Sequence, residues 1–100
     1  INVKILILNN RFLGMVRQWQ DLFNEKRYSF VDIASPDYVA VAKGYKIEGN
    51  SIEERKDLIN ALETMLNHDG PYLLEVFVGK ENNVFPMVPQ GCSVSEIRLK

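Results

Sequence analysis

Two runs of consecutive aliphatic residues predict two strands that are buried on both faces. The runs Val3–Leu8 and Tyr72–Val78 are nearly continuous in apolar side chains, with no regular alternation of polar ones. Such runs are typical of a parallel sheet that helices cover on each side. Gly49–Ile52 is a shorter candidate strand between them.

The segment Leu13–Glu25 has the periodicity of an amphipathic helix. Its apolar residues recur at spacings of three and four, which predicts one stripe that faces the core. That stripe consists of Phe12, Met15, Val16, Trp19, Leu22 and Phe23. The opposite, polar side is predicted to carry Arg17, Gln18, Gln20, Asp21 and Glu25.

Two further helices are predicted from their end signals. Ser35 is the expected N-cap of the second helix and Gly44 its expected stop. The third helix is expected over Glu54–Asn67, with Ser51 as an alternative capping-box start. The order strand-helix-helix-strand-helix-strand predicts an α/β fold, with a parallel-sheet layer and flanking helices. The pattern then fades, so residues 80–100 are expected to form an irregular C-terminal tail.

The composition is that of an ordinary globular chain. Of 100 residues, 46% are hydrophobic and 25% charged, and 12 basic against 13 acidic residues give a net charge of -1. No basic excess is available for a phosphate backbone, so no nucleic-acid partner is expected. The longest apolar run, Ile5–Leu8, is too short to span a bilayer, so no membrane partner is expected. The single cysteine, Cys92, fits a reducing compartment, for which we expect the bacterial cytoplasm.

The pair Asn9-Asn10 is the first candidate for chemistry. It follows the first strand, at the sheet edge where α/β proteins bind ligands, and an amide oxygen is a hard ligand that suits Mg²⁺. The alternative is a pair that only ends the strand, because Asn is a common turn residue. Trp19 and Met15 are likewise open to interpretation as core residues of the helix stripe. A catalytic role is not expected for His68, near a helix C-terminus, or for Cys92, which has no histidine near it in sequence.

Several longer motifs, together with the asparagine pair, resemble those of a known protein family. Gly14–Trp19 reads GMVRQW and Val84–Gly91 reads VFPMVPQG. With RYS at 27–29, PDYV at 36–39, DGP at 69–71 and LEV at 74–76, these motifs make nearly the whole chain similar to the catalytic subunits of acetolactate synthases. The asparagine pair alone is shared by the whole thiamine diphosphate (ThDP) superfamily.

The resemblance implies a domain, a reaction and cofactors. The chain is similar to the second half of the C-terminal ThDP-binding domain, with residues 1–79 as the α/β part and 80–100 as a lid over the active site. The family's enzymes bind ThDP through Mg²⁺ and carry FAD elsewhere. They decarboxylate pyruvate and join the hydroxyethyl unit to pyruvate or 2-ketobutyrate, in the synthesis of valine, leucine and isoleucine.

The resemblance also implies roles for individual residues. Asn10 gives its side-chain oxygen to Mg²⁺, and Phe12 gives its backbone carbonyl. Gly14 and Met15 border the cofactor. Trp19, with Met15, lines the substrate channel in which sulfonylurea and imidazolinone inhibitors also dock. The lid residues so implied are Pro86, Met87 and Val88.

Part of the implied site is expected outside this chain. The chain begins with Ile1 on the threshold of a strand, without an initiator methionine, so we expect a piece of a longer protein. The resemblance places the Gly-Asp-Gly half of the cofactor motif before Ile1. It also places the glutamate that activates ThDP on an N-terminal domain, across a dimer interface. No catalytic residue is therefore expected within the chain, which alone is expected to be inactive.

The implied partners are 2-keto acid substrates, further catalytic subunits in a homodimer or homotetramer, and a regulatory small subunit. Two alternatives stay open. One is another ThDP-dependent carboligase or decarboxylase, such as a catabolic acetolactate synthase or a glyoxylate carboligase. The other is a non-enzymatic binding module.

Overall fold

Three parallel strands form the centre of the protein, whose computed structural model describes residues 1–100. β1 (Lys4–Asn9), β2 (Glu48–Ile52) and β3 (Tyr72–Phe77) are ordered β1-β3-β2, so the last strand in sequence lies in the middle. Both pairings are parallel, and β1 and β2 start at the same level of β3. The parallel sheet predicted from the aliphatic runs is therefore confirmed. The prediction that both runs are buried on both faces is wrong for β1, because it is an edge strand in which Ile5, Leu6 and Leu8 are 37%, 47% and 66% exposed.

Three helices flank the sheet: α1 (Gly14–Phe23), α2 (Tyr38–Gly44) and α3 (Leu58–Asn67). Two 3-10 turns, Arg55–Asp57 and Val94–Glu96, complete the regular structure. The order of strands and helices is the predicted one, and the α/β fold is confirmed. None of the helices combines the length and the apolar character that a bilayer span requires.

The core lies between α3 and the sheet. Five buried residues form it: Ile52, Ala61, Met65, Tyr72 and Leu74. Leu74 is fully buried because its strand has a neighbour on each side. Only 12 of the 100 residues are buried, so many large apolar side chains remain on the surface.

Two helix starts differ from the prediction. The cap of α2 is Asp37, whose Oδ1 accepts a hydrogen bond of 2.8 Å from the N–H three residues on. Ser35 is not the cap, because its hydroxyl is engaged with Asn9 Oδ1 at 3.3 Å. α3 begins only at Leu58, after a 3-10 turn. The alternative capping box is also wrong, because Ser51 lies in β2.

The largest departure concerns the face that α1 buries. Arg17 and Gln18, predicted on the solvent side, are 7% and 1% exposed. Trp19, predicted to face the core, is 50% exposed, and Met15 and Phe23 are exposed to a similar degree. The predicted inward stripe is therefore wrong within this chain, where the polar face of the helix is the covered one.

The segment 80–100, called the tail below, covers that polar face. It contains no strand, and its one regular element is the turn Val94–Glu96. Met87 and Arg98 exchange two backbone hydrogen bonds of 2.9 and 2.7 Å, so the tail folds back on itself. The predicted irregular tail is confirmed, and it is packed against the rest of the chain.

Candidate functional site

The loop after β1 begins with a buried asparagine, Asn9. Its Nδ2 donates a hydrogen bond of 2.7 Å to Oε1 of Glu75, a buried carboxylate on β3. Its Oδ1 accepts from the Arg11 N–H at 2.8 Å and from the Ser35 hydroxyl at 3.3 Å. Because both ends of the amide are bound within the chain, the Asn9 side chain fixes the loop, and its oxygen is already engaged by two donors.

Asn10 and Phe12 place two oxygens in the same loop. Asn10 Oδ1 accepts a hydrogen bond of 2.9 Å from the Phe12 N–H, which leaves the second lone pair of the amide oxygen available. The carbonyl oxygen of Phe12 accepts no hydrogen bond from the chain. Neutral oxygens of this kind are ligands for Mg²⁺, so the loop fits the metal role that the resemblance implies.

These two oxygens make only part of a metal site. Mg²⁺ is usually held through one or two carboxylates in addition to neutral oxygens and water. No group of three acidic, histidine or cysteine side chains comes together in the chain. A complete site therefore needs a further ligand, ideally an anionic one.

Arg11 gives the loop its shape. Its backbone is left-handed, with φ of 59°, a conformation that non-glycine residues adopt where their neighbours hold them. Asn9 accepts its N–H, and its guanidinium carbon lies 4.6 Å from the centre of the Phe77 ring. Its Nη2 lies 3.7 Å from Glu53 Oε1. The strand that carries Phe77 and the segment after β2 therefore both hold the loop in place.

A cleft of about 360 Å³ opens beside this loop, at the carboxyl ends of the strands. This is the edge at which open α/β sheets bind ligands. Its lining consists of Asn9, Asn10, Arg11, Phe12, Asp32, Glu53, Phe77, Val78 and Lys80. The lining includes the cationic side chains of Arg11 and Lys80, so an anionic group would find partners there.

Gly14 lies against the side chain of Asn10. A Cβ atom on Gly14 would stand 3.1 Å from Asn10 Nδ2, closer than an ordinary contact. The glycine expected to border the cofactor therefore also leaves room for the asparagine that the resemblance places on Mg²⁺.

A second cleft, of about 600 Å³, lies between α1 and the tail. The helix side contributes Trp19, Phe23 and Asn24, and the tail contributes Met87, Val88, Pro89 and Gln90. Because half of its surface is exposed, Trp19 can contact a ligand, and the interpretation as a core residue is not supported. Met15 and Pro86, which the sequence placed with these residues, do not line this cleft.

A charged contact also joins α1 to the tail. Asp21 accepts hydrogen bonds of 2.9 Å from Asn83 Nδ2 and of 2.9 Å from the Tyr28 hydroxyl. The bond from Asn83, followed by that from Tyr28, lowers the pKa of Asp21, and the bond to Asp21 raises the pKa of Tyr28. The contact is therefore complete at neutral pH. The bond from Asn83 is weakened as the pH falls through the lowered pKa of Asp21, and only the bond from Tyr28 is lost as the pH rises through the raised pKa of Tyr28.

Sequence reasoning missed two residues that organise these clefts, Glu75 and Gln18. Glu75 carried a usable signal, because a charged residue inside a predicted buried strand must have a partner. Gln18 carried only its place in the GMVRQW motif, because its position on the helix predicted a solvated side chain.

Comparison with known protein families shows the family to which the chain belongs. Residues 1–76 match the model of the family described as thiamine pyrophosphate enzyme, C-terminal TPP binding domain. The chain belongs to this family of ThDP-binding domains. The loop Asn9–Phe12 and the cleft beside it lie within the matched residues.

Individual relatives confirm the resemblance to acetolactate synthases. The large subunit of acetolactate synthase isozyme 2 from Escherichia coli K12 is 47% identical over 99 residues, which cover 98% of this chain and 18% of the relative. The mitochondrial acetolactate synthase catalytic subunit of Saccharomyces cerevisiae is 43% identical over 94 residues, covering 94% and 14%. The chain thus spans less than a fifth of the curated relatives it matches.

A solved structure supports the fold. The ThDP-dependent 4-hydroxybenzoylformate decarboxylase of Rhodococcus jostii RHA1 superposes with a TM-score of 0.67 at 31% identity. The superposition covers 77% of this chain and 15% of the decarboxylase. The small parallel sheet with its flanking helices is therefore the fold of a ThDP-binding C-terminal domain.

Proposed function

We propose that this chain is part of the catalytic subunit of a ThDP-dependent acetolactate synthase. That enzyme decarboxylates pyruvate and joins the hydroxyethyl unit to pyruvate or 2-ketobutyrate, in branched-chain amino acid synthesis. One coincidence carries the proposal: the Asn10 and Phe12 oxygens lie at the carboxyl edge of a ThDP-family sheet whose relatives are acetolactate synthases. In this proposal residues 1–79 are the α/β part of the domain and 80–100 are its lid.

The chain's own role is to bind and orient the cofactor. Asn10 Oδ1 and the Phe12 carbonyl hold Mg²⁺, and Gly14 and Met15 border ThDP. ThDP, when bound, would stabilise the negative charge that decarboxylation of pyruvate leaves on carbon. The Phe12 N–H fixes the rotation of the Asn10 amide, which keeps the metal-binding oxygen pointing in one direction. No catalytic residue is assigned within the chain.

The second cleft is proposed as part of the substrate channel. Trp19 and Met15 line the channel, and Pro86, Met87 and Val88 belong to the lid. The exposed indole facing Met87 and Val88 across the cleft supports this assignment. A tail in this position excludes water from the site, which strengthens the electrostatic interactions inside it.

The remaining assignments concern the whole enzyme. We propose that it binds FAD outside this chain, acts on 2-keto acids, and forms a homodimer or homotetramer with a regulatory small subunit. The relatives are named as large or catalytic subunits, which supports a multi-subunit enzyme. A location in the bacterial cytoplasm completes the proposal.

A second candidate is another ThDP-dependent carboligase or decarboxylase, including a catabolic acetolactate synthase without FAD or a glyoxylate carboligase. The structural match to a ThDP-dependent decarboxylase favours keeping this class open. Flavin absorbance of the purified full-length enzyme separates the biosynthetic enzyme from the FAD-independent one. A non-enzymatic binding module is opposed by the paired oxygens of Asn10 and Phe12.

The proposed activity is tested with the full-length protein, pyruvate, Mg²⁺ and ThDP. We expect acetolactate to form, and activity to disappear when either cofactor is removed by dialysis against a chelator. Turnover of pyruvate to acetaldehyde alone would favour a decarboxylase, and an absence of turnover with any 2-keto acid would contradict the proposal.

The hundred-residue chain alone is expected to bind ThDP and Mg²⁺ no tighter than the millimolar range. Two neutral oxygens are too few protein ligands for an ion that gives up its waters reluctantly. Titration calorimetry of the chain and of the full-length enzyme under the same conditions measures this difference. A micromolar dissociation constant for the chain would show that no further protein ligand is needed.

Replacing Trp19 by leucine in the full-length enzyme is expected to reduce inhibition by aromatic herbicides of the sulfonylurea type by at least about tenfold, with substantial activity retained. The half-exposed indole offers a flat stacking surface that small keto acids need less than aromatic inhibitors do. Inhibition curves measure the effect. Tyr45→Leu is the matched control, because Tyr45 is an exposed aromatic that lines neither cleft. Equal inhibition curves for the two variants would show that Trp19 does not line the channel.

A further inference from the structure

Gln18 binds the tail through both ends of its amide. Its Nε2 donates a hydrogen bond of 3.0 Å to the carbonyl oxygen of Val84, and its Oε1 accepts one of 2.8 Å from the Val84 N–H. The side chain therefore pairs with the tail backbone as a neighbouring strand would. With only 1% of its surface exposed, Gln18 is among the most buried residues of the chain, next to Leu74.

The same amide also contacts the tail beyond Val84. Gln18 Nε2 lies 3.1 Å from the sulfur of Met87, which forms part of the second cleft. Gln18 thus contacts the tail at Val84, which precedes the residues that line the second cleft, and at Met87, which is one of those residues. The chain between these contacts has no regular structure of its own to define its course.

Two neighbours of Gln18 on α1 hold the residues that precede Val84. Arg17 Nη1 donates to the Lys80 carbonyl at 2.9 Å, and its Nη2 lies 3.2 Å from the Glu81 carboxylate. Asp21 accepts from Asn83 at 2.9 Å. The side chain of Glu81 is 70% exposed, whereas Arg17 and Gln18 are themselves buried. Of these contacts, only that of Gln18 engages both the N–H and the carbonyl of one tail residue.

We propose that Gln18 is a positioning residue, which fixes the tail against α1 and so sets the wall of the cleft that faces Trp19. The inference rests on the proposed function, because it takes this cleft as the substrate channel. Glutamine suits the task chemically, since its amide carries the donor and the acceptor that the backbone carbonyl and N–H of a single residue require. A side chain of equal length without them would leave the Val84 N–H and carbonyl to solvent and loosen the tail.

The chain provides a matched control for this role. Gln20, two residues further along α1, makes the same two-way contact with a backbone: Nε2 donates to the Ser29 carbonyl at 3.0 Å, and Oε1 accepts from the Ser29 N–H at 3.0 Å. Ser29 lies in the loop after α1, outside the tail and both clefts. Gln20→Met therefore removes equivalent bonds from the same helix without touching the tail.

The test compares Gln18→Met and Gln20→Met in the full-length holoenzyme by hydrogen exchange and steady-state kinetics. In Gln18→Met we expect amides of residues 81–90 to exchange at least about tenfold faster, because the two hydrogen bonds that hold Val84 on α1 are lost. We expect KM for pyruvate to rise roughly fivefold while kcat changes less, since the chemistry itself is untouched. In Gln20→Met the exchange of the tail and KM should stay at wild-type values.

Unchanged exchange in residues 81–90 of Gln18→Met, or an equal effect in Gln20→Met, overturns the proposal. If Gln18→Met fails to fold, Val84→Pro removes the N–H from the tail side and leaves α1 intact, and the same increase is expected at residues 85–90. The exchange measurement needs no substrate. An enzyme inactive on pyruvate whose tail still loosens would therefore refute the proposed function and keep the positioning role of Gln18.

Discussion

Replacing Asn10 by alanine in the full-length enzyme is expected to weaken its affinity for ThDP and Mg²⁺ by roughly a hundredfold. The substitution removes one hard oxygen ligand from the metal. It also removes the acceptor of the Phe12 N–H at 2.9 Å, so the backbone of Phe12, which carries the second oxygen, loses a contact that holds it. A single change therefore disturbs both oxygens that this chain offers to the ion.

Activation of the apoenzyme by increasing ThDP at fixed Mg²⁺ measures that affinity. Asn60→Ala is the control, because Asn60 is an exposed asparagine on α3, away from the Asn9–Phe12 loop. If Asn10→Ala keeps the cofactor affinity of the wild type, Asn10 does not bind the metal and serves only to form the turn after β1.

A large loss of stability is expected from Gly49→Ala. A Cβ atom on Gly49 would stand 2.9 Å from the carbonyl oxygen of Leu73 and 3.6 Å from its Cβ, and the clash is with backbone that cannot turn aside. β2 must then shift away from β3, which it pairs at this level. We expect the free energy of unfolding to fall by about 2 to 3 kcal/mol.

Chemical denaturation followed by circular dichroism measures the difference. Gly44→Ala is the matched control, because an added Cβ there meets nothing within 4 Å and the residue lies at the end of α2. It should be neutral or stabilising by up to about 1 kcal/mol, as alanine is the better helix former. Equal losses in the two variants would show that the contact with Leu73 relaxes without cost.

The strands could be predicted because their signal is local. An aliphatic run such as Tyr72–Val78 is suited to a parallel strand whatever its partners are, whereas the burial of a strand depends on what covers it, as the exposed β1 shows. The periodicity of α1 was equally clear, yet it identifies residues that share a face and not the element that covers that face. In this chain the tail binds the polar face through Gln18, a partner 66 residues away that no local pattern encodes.

In the candidate site, too, some features have a local sequence signal and others depend on residues that are distant in sequence. Asn10 was identified from the residues around it and from the motif that follows. The carboxylate that immobilises the neighbouring Asn9 comes from Glu75, again 66 residues away, and only the folded sheet brings the two together. Residues that touch a ligand tend to lie in short motifs, whereas those that hold them are dispersed along the chain.

The bond between Asn9 and Glu75 couples loop formation to strand register. In the native alignment Asn9 stands opposite Phe77, and Ile7 opposite Glu75. A slip of one residue would turn the Glu75 side chain to the other face of the sheet relative to Asn9. Nδ2 of the buried Asn9 would then lose its Glu75 partner, and the local bond from the Arg11 N–H to Asn9 Oδ1 would no longer be tied to β3. The native position of the Asn9–Phe12 loop therefore depends on the correct pairing of two strands that are distant in sequence, and a chain in the wrong register would lack it.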